Sequence, residues 1–186
     1  GIGSALYDKL MTVIQPFDPL SVRAGTREDM ASGIEFLKRR AFQEDVRVWE
    51  SRLDVAAFDS SPYAELEKKM RAQSIEIKTF KQLETDKERN RKLHELHWEI
   101  MKDVPSSEPI TKISYEYFLE RLLNNPNLLP DAYLVAVHKD EYVGMSNLWF
   151  SQASDDLYTG LTGVKRPYRR KGIALALKVR GIAYAK

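Results

Sequence analysis

Three consecutive cations, Arg169-Arg170-Lys171, stand directly before Gly172 and the apolar run Ile173-Ala174-Leu175-Ala176-Leu177. Upstream, residues 157–164 read as a β-strand ending at Val164, and Pro167-Tyr168 fall in the turn between. The order strand, basic loop, glycine, apolar helix describes an anion site. The first turn of a helix offers backbone N–H groups with no intrahelical acceptor, together with the positive end of the helix dipole. Glycine at 172 permits close approach of a ligand and dihedrals that other residues avoid. Cations at that end of a helix are unfavourable with the dipole, so three in a row want an anion nearby. A diphosphate is the natural guest. Solvated surface is the plainer reading of a basic run, and residue types alone leave both readings open.

Other phosphate and metal motifs fit poorly. A Walker loop needs Gly-x-x-x-x-Gly-Lys-Ser/Thr, and the dinucleotide fingerprint needs Gly-x-Gly-x-x-Gly; neither spacing occurs here. His94-Glu95-Leu96-His97 places two histidines on one helix face, but zincins need the longer His-Glu-x-x-His spacing and no third ligand is evident. No metal is expected. The chain has no cysteine, which excludes disulfides, thiolate metal sites and a cysteine nucleophile.

Composition bounds the partners. The 186 residues carry 29 basic and 27 acidic side chains, a formal net charge of +2. That near balance argues against nucleic acid as the main partner. No apolar run reaches the roughly 18 residues of a membrane helix and no signal peptide is evident, so a cytoplasmic protein with no membrane partner is expected. The chain begins Gly1-Ile2-Gly3 without methionine and is expected to be an internal piece of a longer protein.

The elements that must position the basic loop can be read along the chain. Residues 1–15 form a helix with Ile2, Leu6, Leu10 and Val13 in one stripe, ended by Pro16 and Pro19. A short strand is expected at 20–24. A helix over 27–40 follows, with Thr26 as its N-cap. Imperfect alternation over 46–55 predicts a strand. Residues 56–74 read as a connector with a short helix in its charged part. Then come a strand at 75–80, a charged helix at 84–101 broken at Pro105, and a helix at 114–123. Strands at 132–137 and 142–150 form a hairpin around residues 138–141. The strand at 157–164 and a helix at 172–185 complete the series.

Taken with this context, Arg169-x-x-Gly172-x-Ala174 resembles the Gln/Arg-x-x-Gly-x-Gly/Ala signature of the GNAT superfamily of N-acetyltransferases. Residues 75–186 follow the first half of that family: strand, helix, helix, three strands, loop, helix. The resemblance implies an α/β (α+β) fold with a mixed, mostly antiparallel sheet flanked by helices. It implies acetyl-CoA as co-substrate, with the pantetheine arm along Leu161, Thr162, Gly163 and Val164. The pyrophosphate would lie on the N–H groups of Arg169, Arg170, Lys171, Gly172, Ile173 and Ala174. It also implies transfer of the acetyl group to an amine, small molecule or peptide, by direct attack. The catalytic base is not identified. Glu99, Asp103 and Glu108 fall in the helix–loop–helix region that lines the acceptor site in this family, and Tyr158 stands on the third strand. A surface carboxylate is the plainer reading of each acid, and packing of the tyrosine.

The family's second half is absent from the end of the chain and resembles its beginning instead. Gly1-Ile2-Gly3-Ser4-Ala5-Leu6 is similar to Gly172-Ile173-Ala174-Leu175-Ala176-Leu177. The resemblance therefore implies halves in permuted order from a tandem protein. Residues 1–58 would be the C-terminal half of a first repeat, 59–74 a linker, and 75–186 the N-terminal half of a second. In the first repeat, Leu37 stands at the family's tyrosine position, Met30 at its asparagine position, and Ala41 where glycine is usual. A degenerate module with a structural or CoA-binding role and no catalysis is the alternative reading. The halves are expected to complete one another, within one chain or as a swapped homo-oligomer, with residues 20–24 parallel to 157–164.

Overall fold

The computed structural model describes residues 1–106 and 110–186, which fall into two units, 1–51 and 52–186. In the larger unit, four antiparallel strands lie in the order β1 (Ile75–Thr79), β2 (Leu128–His138), β3 (Glu141–Phe150) and β4 (Leu157–Val164). Each strand neighbours the next in sequence. The β2–β3 turn holds Lys139 at φ 57°, a left-handed position that fits a tight two-residue connection.

Alternation along β2 assigns the two faces. Tyr133, Val135 and Val137 point to one side and pack with Leu93, Leu96 and Ile100 of α4 (Arg89–Met101) and Phe118 of α5 (Tyr115–Phe118). Leu134 and Ala136 point to the other side, onto Met70 of α3 (Leu66–Ala72) and Ile173, Ala176 and Leu177 of α6 (Ile173–Ala185). The result is a mixed α+β architecture, a sheet between two helical layers, as the resemblance implied. Its elements follow the expected order of strand, two helices, three strands and helix. Ser114 caps α5 by accepting a hydrogen bond from the Tyr117 N–H at 3.1 Å, and α5 runs on into a wider turn over Leu119–Leu123. The short helix expected in the connector is α3. Met70 is 1% exposed, so α3 packs on the sheet through that side chain.

The smaller unit is helical. It holds α1 (Ile2–Ile14) and α2 (Ala31–Lys38). Tyr7 meets Phe36 and Phe42 edge-on, with ring centroids 6.0 and 6.4 Å apart, and the Arg40 guanidinium lies 3.6 Å from the Phe36 ring. The apolar stripe of α1 is present but open: Ile2 is 82% exposed and Leu6 66%. Three sequence expectations fail here. Residues 20–24 form no strand, nor do 46–55, which run past the end of this unit at Ser51; a strand needs a ladder partner, and neither segment has one, so Val48 and Trp49 stay exposed. The helix expected from residue 27 begins instead at Ala31, with Met30 at its N-cap, while Arg27 turns back to pair with Asp29.

Ala41 ends α2 at φ 62°. Its N–H donates to the Lys38 carbonyl (3.1 Å) and the Phe42 N–H donates to the Leu37 carbonyl (3.2 Å), the paired bonds of a Schellman cap. That cap calls for glycine, the residue the resemblance places here. Ala41→Gly is expected to stabilise this unit by about 1 kcal/mol, less the entropy that glycine adds to the unfolded chain. Urea unfolding followed by far-ultraviolet circular dichroism measures it, and a lower midpoint for the glycine variant contradicts the assignment.

Candidate functional site

The basic loop lies where the sequence placed it. β4 ends at Val164, a single turn spans Arg166–Tyr168, and α6 begins after Gly172. Gly172 sits at φ 86°, ψ 5°, and Arg170 at φ 62°. Two left-handed residues bracketing Lys171 curl the main chain into the concave form that gathers N–H groups. The first helical bond of α6 runs from the Ala176 N–H to the Gly172 carbonyl at 3.0 Å. Among the described residues, no acceptor is found for the N–H groups of residues 170–175 in the turn, loop and cap hydrogen bonds. They form an open row of donors at the positive end of a 13-residue helix.

β4 extends this donor surface. The Lys165 N–H donates to the Val143 carbonyl at 2.9 Å, and Gly163 and Val164 pair in register with Met145 and Gly144. Hydrogen-bonded and open pairs alternate in an antiparallel ladder, so the main-chain groups of Val164 and Thr162 face away from β3. β4 is the last strand of the sheet. The Thr162 side chain is engaged elsewhere, 2.8 Å from the Ser146 hydroxyl. Between the pairs Ser146–Thr162 and Leu148–Thr159 the register slips, leaving an extra residue in β4 opposite Asn147. Such bulges bend a strand and redirect its groups, and they are frequent beside active sites. Asn147 is 2% exposed, and its Oδ1 has no hydrogen-bond partner.

The loop is tied down at both ends. Lys165 Nζ donates to Glu141 Oε1 at 2.7 Å and the Tyr168 hydroxyl donates to Glu141 Oε2 at 2.8 Å, fixing its first part to the β2–β3 hairpin. On the other side Asp103, just past the end of α4, takes both Arg166 and Arg169. Arg166 Nε lies 3.0 and 3.1 Å from its two oxygens, and the Arg169 guanidinium donates to Oδ2. Arg169 Nε also donates to the Val164 carbonyl at 3.0 Å. The side chain of Arg169 is thus committed to the loop itself, and the open donors around it are backbone N–H groups.

Hydrogen bonds from Arg166 and Arg169 hold the Asp103 carboxyl down to about 2, against an ordinary 3.8. A general base works best with a pKa near the operating pH. Asp103, a candidate base on sequence, stands in the structure as the counterion of Arg166 and Arg169. Because its pKa is depressed, its favourable contribution is complete above 3.8 and is lost as pH falls through about 2. A carbon-detected NMR titration is expected to show the Asp103 carboxyl still ionised at pH 3; a midpoint at or above 3.8 contradicts the double contact.

The other candidates separate. Glu99 is an exposed residue of α4 paired with Lys102. Tyr158 is 50% exposed on β4, in register with Trp149. Glu108 lies outside the described residues. His94 is buried and its Nε2–H donates to the Ile113 carbonyl at 2.8 Å; His97 packs on Phe118, with burial lowering its pKa. Both histidines serve the core. Sequence reasoning missed the Asp103 contact and the Asn147 acceptor. An acid directly after a helix C-terminus is disfavoured by the dipole, and that was the available signal for Asp103.

No protein-family model matches the chain, and no curated protein matches it. Among solved structures it is similar to a GCN5-related N-acetyltransferase from Sphaerobacter thermophilus, at 27% identity over 60% of this chain and 32% of that one, with TM-score 0.42. It is similar also to a protein provisionally assigned as an acetyltransferase from Pyrococcus horikoshii, at 25% identity over 61% and 35% of the two chains, TM-score 0.46. A third likeness is to Ard1 from Thermoplasma volcanium, at 17% identity over 60% and 64%, TM-score 0.42. The match spans about a third of the length of the first two of these chains.

Proposed function

We propose that this chain carries the acetyl-CoA-binding half of a GNAT-type N-acetyltransferase. The observation that carries the reading is the row of unbonded N–H groups over residues 170–175, opened by left-handed Arg170 and Gly172 at the head of α6. Multiple N–H donors, a helix dipole and two exposed cations, Arg170 and Lys171, suit a pyrophosphate. The outward main-chain groups of Thr162 and Val164 suit the amides of a pantetheine arm, which binds as an added strand would. The residues present therefore fit the ligand.

In this reading an amine nitrogen attacks the thioester carbonyl, the new C–N bond forms as the C–S bond breaks, the attacking nitrogen loses a proton and the thiolate gains one. No acyl-enzyme is required, consistent with a chain that has no cysteine. The protein's contribution is to fix the co-substrate against the acceptor, worth up to roughly 7–11 kcal/mol of the barrier in well-oriented cases. The amine, small molecule or peptide, and the origin in a tandem protein belong to the same proposal; the expected pairing of residues 20–24 with 157–164 does not, because residues 20–24 form no strand. Two observations favour the alternative, a module that binds CoA without catalysis: Asp103 is engaged as a counterion and Glu99 is an exposed surface residue.

Titration calorimetry of the full chain with CoA and acetyl-CoA tests the reading. Saturable one-site binding is expected. Absence of binding to either ligand rejects it, whereas binding with no acetyl transfer to any amine selects the non-catalytic alternative.

A further inference from the structure

Asp103 joins two parts of the chain that sequence keeps far apart. It follows α4, whose last turn hydrogen-bonds to its own N–H (Asp103 N–H to the Ile100 carbonyl, 3.0 Å), and it grips Arg166 and Arg169 on either side of Tyr168. Ile100, three residues earlier, is 4% exposed in the core beneath β4. The acid is therefore anchored to a packed helix rather than to a loose tail. Its position is electrostatically poor for a helix end, since a carboxylate meets the negative pole of the dipole there. Two guanidiniums offset that cost. Only the side chain of Arg166 is largely free of other duties: it is 76% exposed and its contacts run to Asp103.

Residues 173–175 are the first turn of α6, but among the described residues no turn, loop or cap backbone bond reaches residues 170 and 171, so α6 alone does not fix the shape of the row. The shape is imposed from outside. Glu141 holds Lys165 and Tyr168, Gln73 Nε2 donates to the Lys171 carbonyl at 3.3 Å, and Asp103 holds Arg166 and Arg169. Of these the Asp103 contact is the one that ties the loop to α4, and it immediately precedes the first left-handed residue, Arg170.

We propose that Asp103 is a positioning residue for CoA: by clamping Arg166 and Arg169 to the end of α4, it preorganises the 170–175 N–H groups for the pyrophosphate. The proposal rests on the CoA-binding reading above. A competing effect has the opposite sign. Removing the carboxylate deletes a negative charge near the anion and frees two guanidiniums, which favours binding. Arg166 is 76% exposed, and a freed guanidinium so screened by solvent contributes little, while the half-buried Asp103 carboxylate is already offset by its two arginine partners; a shifted row loses several charge-assisted hydrogen bonds together. Preorganisation therefore dominates.

The test is a double-mutant cycle read by CoA calorimetry on the full chain, with melting temperature as a control. Asp103→Asn is expected to weaken CoA binding about tenfold and Arg166→Gln, which leaves the Arg169 contact in place, about threefold; the double variant loses no more than Asp103→Asn alone, because Arg166 acts through Asp103. Asp103→Glu keeps the charge and is expected to recover binding to within about threefold. Equal or tighter binding by Asp103→Asn, losses that add, or no recovery in Asp103→Glu overturns the proposal. If Asp103→Asn fails to fold, Arg166→Gln decides alone, since its exposed side chain leaves the core untouched. Wild-type protein that binds no CoA rejects the underlying reading instead, before any variant is compared.

Discussion

Gly172→Glu is expected to lower CoA affinity by at least about a hundredfold, some 2.7 kcal/mol, while the sheet and α6 persist. Three effects act together. The new carboxylate lies at the head of α6, where it takes the dipole and the nearby N–H groups for itself. It repels the pyrophosphate at short range. It also places a side chain where only hydrogen stood, with the backbone at φ 86°. The strain at that φ costs about 1–2 kcal/mol for an L-residue, partly offset by the favourable placing of an acid at a helix N-terminus. The space itself is adequate: a Cβ at 172 would meet only Met70 Cε, at 3.5 Å. Gly172→Ala separates the causes, since it carries the strain without the charge. A modest loss for alanine and a large one for glutamate is the expected calorimetric pattern. Equal CoA affinity in wild type and Gly172→Glu removes the site.

The reason this site was legible in sequence is that its chemistry is local. Strand, cations, glycine and helix are contiguous over residues 157–185, and each is recognisable from residue type and periodicity. The hairpin of β2 and β3 was legible for the same reason. What depends on distant partners was not. The Asp103 contacts span 63 and 66 positions, and no spacing rule connects them. Residues 46–55 alternate well enough to suggest a strand, yet alternation states only which face would be buried and supplies no neighbour to complete the ladder. The stripe on α1 is a helix face, as its periodicity predicts, but periodicity cannot tell whether a face is covered, and in this unit Ile2 and Leu6 stay exposed. Thr26 had the chemistry of an N-cap and sat several residues too early, because Arg27 and Asp29 pair with each other ahead of the helix.

Gly163 was assigned to the pantetheine path by resemblance, and the packing gives it a second task. A Cβ at this position would stand 2.2 Å from Ile100 Cγ2, 3.0 Å from Cγ1 and 3.1 Å from Cβ. No rotamer change relieves contacts that reach as far back as the Ile100 Cβ; α4 itself must move. Glycine in a strand interior often marks such a close approach. Gly163→Ala is expected to destabilise the larger unit by about 1–3 kcal/mol, the usual range for overpacking a filled core. Ile100→Ala alone is expected to cost about 2–5 kcal/mol, through lost burial and the cavity left behind. Combined, the two changes are complementary in volume, so the double variant should lose less than the sum of the singles. Urea unfolding of the four proteins measures the coupling, and additive losses contradict the contact. The effect should also reach the ligand. Asp103 lies three residues beyond Ile100 on the same stretch of chain, so an α4 pushed away from β4 carries Asp103 away from Arg166 and Arg169. Gly163→Ala is therefore expected to weaken CoA binding as well as stability, and the Ile100→Ala partner to recover part of both. Recovery of stability without recovery of binding would show that Gly163 serves the ligand directly rather than through α4.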